Sequence, residues 1–545
     1  MKTLTGVLVL TLVGGAPALA QGHQHGAASR DGEQLGTVSF ATSCSPAVQT
    51  GFQRGVALLH SFWYEESEKQ FLEIAKSDPT CGMAHWGVAM SLYHQLWDRA
   101  TGDRLNRGVI EAQTAVKLSA KTERERGYID AIAVFYADAA TRDHAARADA
   151  YTTAMAKLYA AFPDDLEAGA FYGLALLASA PPTDVTLANP KKAVETLMPL
   201  MRQEPAHPGL AHYIIHACDN PTMASQGLEA ARRYAAIAPS SPHAVHMPSH
   251  IFSCVGLWQE SIQSNLASLE ATKKAEQEKR GGSDHALHSM DFLNYAYLQV
   301  GKDKDAKAVV ADALRLIDVL GKIHMADHEM ADFLDYARAQ FPALYALEMR
   351  DWAAAAALEA PAGSKPLVQT ITYWARGTGA ARARQAEEAS RSAARFEQLL
   401  EEVGKSSDAY VLAEMDVARD ELRAWVAFAR GRRDDAVRLM RGAADRQDAR
   451  GKGEVEIPAR EMLADILLEL DRPGDALFEY QRSMTIDPNR FNSLFGAASA
   501  AEKTDQLDLA GKYYARLVDN CKNSNSSRPE LAHAKRFVGD HRPSQ

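Results

Sequence analysis

The stretch HPGLAHYIIH at residues 207–216 has a partial echo in SPHAVHMPSH at residues 241–250. Pro208, His212 and His216 return there as Pro242, His246 and His250, each 34 residues on. Residues four apart share one face of a helix, which turns each pair of imidazoles toward the same side. Asp219 continues the first stripe and His243 joins the second. A third segment, HSMDFLNY, sets His288, Asp291 and Tyr295 at the same spacings. Neutral imidazoles are the commonest protein ligands for zinc and copper. Converging from adjacent helices, whose axes pack about 8–10 Å apart, such stripes would hold one metal ion or two. Zinc wants about four ligands at roughly 2.0–2.1 Å. A histidine-dominated set poor in sulfur suits copper equally. An open coordination position beside Asp219 or Asp291 would take an activated water or dioxygen, which makes these carboxylates the candidate catalytic groups. His60 and His94, also 34 apart, complete the candidate ligands. HYIIH lacks the glutamate of the zinc-protease motif HExxH.

The elements that must position these residues are helices. Hydrophobic residues make up 46% of the 545-residue chain and charged ones 24%, which suits a core-forming, water-soluble protein. No strand-period segment is long enough to argue for a sheet. Pro208 and Pro242 read as first-turn prolines, whereas Pro248 lies six residues into its helix and should kink it between two candidate ligands. The 34-residue spacing extends beyond the histidines, since Ala476 and Tyr480 return as Ala510 and Tyr514. Near the N-terminus, GVALLHSFWYEESEKQFLEIAKSDP carries the small, aromatic and Asp-Pro positions of one such unit. These features resemble the tetratricopeptide repeat (TPR), a helix–turn–helix unit of about 34 residues. The resemblance implies an all-α, TPR-like helical solenoid, a right-handed superhelix in which stacked units bury one another's apolar faces. Because the first helix of each TPR unit lines a concave groove, it also implies that the histidine stripes, His60 and His94 face that groove. RGVALLHSFWYEES, HPGLAHYIIHACDNP and HAVHMPSHIF look like a histidine-rich branch of exported bacterial TPR proteins, a likeness covering most of residues 37–320.

Residues 1–20, MKTLTGVLVLTLVGGAPALA, read as a cleavable signal peptide cut after Ala20, which implies a periplasmic or secreted protein. A polar, disordered leader at 21–36 follows, then an N-terminal array at 37–320 carrying the histidine site and a C-terminal TPR-like array at 321–545. Connecting loops are expected at 179–192, 278–284 and 446–458. Among the five cysteines, Cys44 and Cys81 flank the first helical pair and form a plausible bridge. Cys218 and Cys254 could pair, ligate metal or fill the core. A net charge of −10 with interspersed signs offers no basic patch for nucleic acid, and no stretch after the leader is apolar enough for a membrane span. Two functions fit. One is a metal-dependent enzyme, hydrolytic with zinc or oxidative with copper, acting on a small molecule or an extended substrate. The other is a non-catalytic TPR scaffold that captures a peptide or protein in its groove. Oligomeric state is not legible.

Overall fold

The computed structural model describes residues 32–96, 99–181, 183–280, 283–323, 328–405, 409–451 and 454–541. The expected signal peptide, most of the expected leader, Trp97 and His324 lie outside them. Among the described residues there is no strand; helix follows helix in antiparallel pairs, and the chain is a TPR-like all-α solenoid. No described helix is long and apolar enough to cross a membrane.

Local chemistry accounts for where helices start. Thr122 accepts a hydrogen bond from the Glu125 amide and donates to its carboxylate, closing a reciprocal box at the first turn of Glu123–Tyr136. His207 caps the helix Pro208–Cys218, its Nδ1 accepting from the Leu210 amide at 3.2 Å. Pairing depends on small residues opposite aromatic ones. A Cβ added to Gly87 would lie 2.3 Å from the Phe71 ring, and one added to Gly496 would lie 2.2 Å from Tyr480. Only glycine admits such an approach, and it recurs at both ends of the array because the repeat does.

Pro248 does more than kink its helix. It ends one helix, Pro242–His246, and begins another, Pro248–Cys254. The expected loop at 446–458 is helical as far as Arg450, where Arg450 pairs with Glu414 at 2.6 Å. Gln447 Oε1 then accepts from the Ala459 amide at 2.7 Å, stapling the short loop to the next helix. Cys44 and Cys81 form a disulfide; Cys218, Cys254 and Cys521 are free and buried. At the edge of the leader, Glu33 sits between Arg54 at 2.7 Å and Arg280 at 2.5 Å, so these last leader residues are packed on the array.

The solenoid curls until its distant parts touch. Trp258 Nε1 donates to the Asn489 carbonyl at 2.8 Å, and Asn489 Nδ2 donates to the Gly256 carbonyl at 3.0 Å. Beside them Arg490, fully buried, joins Glu348 at 2.7 Å and Glu461 at 3.0 Å and also donates to the Tyr295 hydroxyl. Removing such a cation leaves two carboxylates uncompensated in the interior, which costs about 3–5 kcal/mol. Arg490→Met is therefore expected to lower the unfolding free energy by about that amount, read from urea midpoints. A midpoint unchanged from the parent protein would show that the closure is not held there.

Candidate metal centre

Two neighbouring sets of three imidazoles occupy the middle of the array. In the first, His212 Nε2 lies 3.0 Å from both His243 Nε2 and His216 Nε2. In the second, His250 Nε2 lies 3.0 Å from His246 Nε2 and 3.3 Å from His288 Nε2. Nitrogens bound about 2.0–2.1 Å from a shared ion are themselves roughly 3 Å apart. The sets adjoin through His243 and His246, whose ring centres are 6.4 Å apart. The first set takes His243 from the short helix Pro242–His246 and the other two rings from Pro208–Cys218. The second takes its rings from both sides of the Pro248 break and from the helix Ser283–Gln299.

The outer hydrogen bonds fix which nitrogen carries the proton. His212 Nδ1 lies 2.6 Å from the His60 carbonyl and must donate to it. His250 Nδ1 donates to Asp219 Oδ2 at 2.7 Å. His246 Nδ1 donates to Asn265 Oδ1 at 2.7 Å, and that amide cannot be reversed because its Nδ2 donates to the Ser261 carbonyl at 2.8 Å. With both Nδ1 atoms engaged outward, the Nε2 atoms of His246 and His250 face each other at 3.0 Å, an approach relieved by a metal ion between them or by a further proton on His250, which the Asp219 carboxylate would favour. Partners of this kind also orient ligand rings in metal sites.

Burial holds five of the six rings neutral. It pushes His212 and His288 down to about 3 and His216, His243 and His246 well below the ordinary 6.5, with neighbouring imidazoles adding repulsion. Each set is packed on aromatic rings, the first on Phe62 and also on Tyr234, which stacks on His212 at 5.0 Å. Phe62 packs on His212 at 4.3 Å between ring centres and stacks on His216 and His243 at 5.5 and 5.6 Å. Its φ of 53° lies in the left-handed region, which a bulky side chain enters only where the surroundings enforce it. Phe292 lines the second set, 4.3 Å from His250.

The remaining candidates fall elsewhere. His60 belongs to a separate buried network: its Nδ1 accepts from the Tyr213 hydroxyl and its Nε2 donates to Glu167, each at 2.8 Å. His207 Nε2 donates to the other Glu167 oxygen at 3.1 Å. Every ring nitrogen there has a partner, so the network is complete without an ion, and only the backbone carbonyl of His60 reaches the first set. Burial would push the Glu167 acid up, but the His207 and His60 rings outweigh it and hold the group ionised. His94 ends the helix Gly82–Tyr93 in a left-handed conformation, stacks on Tyr64 at 4.0 Å and takes a hydrogen bond from Arg104, away from both sets. Asp219 orients His250 through Oδ2, while its other oxygen, Oδ1, is buried without a partner among the described residues. Asp291 touches neither set, and burial with nearby Glu454 pushes its acid up to about 8. Residues beyond the stripe pattern, namely Asn265, Phe62 and the His60 carbonyl, supply much of the support. Phe62 and His60 lie at a helix end, whereas Asn265, inside the helix Trp258–Gln277, carries no signal in the sequence. His285, 5.3 Å from His243 between ring centres, lies one turn before His288.

No family model and no curated protein matches the chain. Two solved structures are similar in part. One is the human IFIT1 dimer with m7Gppp-AAAA, at 11% identity over 80% of this chain and 90% of that one, with a TM-score of 0.38. The other is the P58(IPK) TPR domain, at 15% identity over 70% of this chain and 100% of that one, with a TM-score of 0.21.

The depressed histidines make stability depend on pH with a definite sign. Below the ordinary value of 6.5 the unfolded chain binds more protons than the folded one, so stability is complete above that pH. It falls as pH drops toward about 3, where His212 and His288 titrate in the fold. Each fully buried ring contributes a slope on the order of 1.4 kcal/mol per pH unit. Chelator-treated protein should accordingly lose urea stability steeply between pH 6.5 and pH 4.5, and His212→Phe should flatten the curve. Parallel curves for the two proteins would count against a neutral, buried His212.

Proposed function

We propose that this chain is an exported metalloprotein whose six imidazoles hold a pair of copper ions, and that the pair oxidises a small molecule with dioxygen as the oxidant. The observation that carries this reading is the convergence of three Nε2 atoms in each set at 3.0–3.3 Å, with the Nδ1 atoms of His212, His246 and His250 engaged outward. Six neutral donors with no anionic ligand among them bear on which metal. Burying a cation costs more as its charge rises, so an ion with an accessible monovalent state fits better than two divalent zincs. Imidazole also suits copper by ligand type. A bound copper pair would supply two one-electron centres side by side, and dioxygen would take up the two electrons and two protons that the substrate loses.

The chain's own residues do the rest. Asp219, Asn265 and the His60 carbonyl orient three ligands, while Phe62 and Phe292 exclude water from one side of each set. His216 and the 32%-exposed His288 are the more open members, which puts the approach for substrate on their side. The leader-like N-terminus and the Cys44–Cys81 bridge fit an oxidising compartment.

Elemental analysis of protein purified without an affinity tag should find close to two copper ions per chain. His246→Ala should remove about one of them while far-UV circular dichroism stays unchanged. Oxygen uptake with small reduced organic substrates should require the metal. Near-stoichiometric zinc would instead favour the hydrolytic reading. A metal-free protein that binds peptides would return the chain to the class of TPR scaffolds.

A further inference from the structure

A cavity of about 490 Å3 lies beside the second histidine set, within the C-terminal part of the array. Its walls come from the helices His328–Glu348, Pro366–Arg382 and Ala409–Ala429 and from the chain around Gly451 and Glu454. That volume suits a small organic molecule. The cavity borders the centre at two points. Glu454 lines it while holding a carboxylate oxygen 4.0 Å from His288 Nδ1. Gly451 also lines it, and a Cβ built there would come within 3.6 Å of Pro221, two residues past the Asp219 that orients His250. Glu454 is 67% exposed, so its carboxylate is open to both the hollow and the solvent.

The lining is acidic and aromatic together. Among the described lining residues, Glu414, Glu421, Glu454 and Glu456 are carboxylates and Arg450, which Glu414 engages at 2.6 Å, is the basic side chain. Glu421 is the telling member. It is 3% exposed, its Oε2 accepts from Trp374 Nε1 at 2.9 Å, and no basic side chain pairs with it among the described residues. Burial, with Glu456 adding to it, pushes its acid up to about 8. A carboxylate so placed is costly as a bare anion, and a ligand cation would offset the cost. Trp374, Phe396 and Tyr336 supply faces for an aromatic body and for a cation above it.

We propose that this cavity is the substrate pocket of the histidine centre and takes a small molecule bearing a protonated amine on an aromatic body, with Glu421 as the group that selects the amine. The assignment rests on the metal reading above for its chemistry, but not for its binding preference.

Calorimetric titration of the full chain after chelator treatment, with three probes of one shape, tests that preference separately. Phenethylamine should bind at least tenfold more tightly than 2-phenylethanol or 3-phenylpropionate. Glu421→Gln, which keeps the size of the side chain and an acceptor for Trp374, should abolish the difference without altering the copper content of untreated protein. On the copper-loaded protein, phenethylamine should shift the copper spectrum, since the pocket abuts the second set. Comparable affinity for the three probes, an order unchanged in Glu421→Gln, or no binding at millimolar concentration would each overturn the assignment. Amine selectivity in a protein that holds no metal would overturn the copper centre and leave the pocket standing.

Discussion

Two imidazole Nε2 atoms held 3.0 Å apart in the interior are a constraint that needs an added positive charge, a metal ion or a proton, to relieve it. Asp219 on one side and Asn265 on the other already engage the Nδ1 protons of His250 and His246. The Ser261 carbonyl, by fixing Asn265, removes the last freedom in the arrangement. The contrast with His60 is instructive. That ring is as deeply buried and as close to another histidine, yet donor meets acceptor at every nitrogen, and Glu167 completes the set. Histidine density therefore does not distinguish a metal site from a structural network. The pattern of outer partners does, because it decides where the lone pairs point.

A repeat fold suits this constraint because it delivers the same side-chain vector more than once. Two units in succession present histidine pairs one turn apart, and the spacing between packed helices brings the pairs into adjoining sets. Exact repetition would not suffice. The helix break at Pro248 separates the direction of His246 from that of His250, so that His243 serves the first set while the two later rings serve the second. Phe62, in its left-handed conformation at the turn after Gln49–His60, closes the far side. The local departures from the repeat thus sit where the histidine rings are concentrated.

The helical stack was legible from period and composition, since 34-residue spacing, small residues opposite aromatics and first-turn prolines all have local causes. The candidate ligands His212, His216, His243, His246, His250 and His288 were legible for the same reason: a spacing of three or four on a helix has one geometric meaning. His60 and His94 shared the period but not the environment. Their separation from the sets depends on Glu167, Tyr213, Tyr64 and Arg104, which approach from other units, and no periodicity announces such partners. Asp219 had the right neighbourhood, and its hold on the His250 ring through Oδ2 was not legible, because whether a carboxylate oxygen meets an ion or a ring N–H turns on about 2 Å of placement. Asn265 could not have been singled out. It is an ordinary polar residue within a long helix until folding puts it under His246.

The curl of the array bears on what the C-terminal half contributes. Left alone, the helix Ser283–Gln299 would present His288 to water on the open side of the second set. Arg490, between Glu348 and Glu461, and the Tyr295 hydroxyl, donating to the Glu456 carbonyl at 2.9 Å, tie the later helices across that side. The same tie positions Glu454 near His288 and keeps Glu421 dry beside Trp374. A buried four-group cluster of this kind gains little stability over an apolar one, so its consequence is better sought in geometry. It sets the distance between an acidic, aromatic hollow and a pair of histidine sets some 200 residues earlier in the chain. In that respect the second half of the solenoid is a wall of the site, and the closure contact at Arg490 is what holds the wall in place.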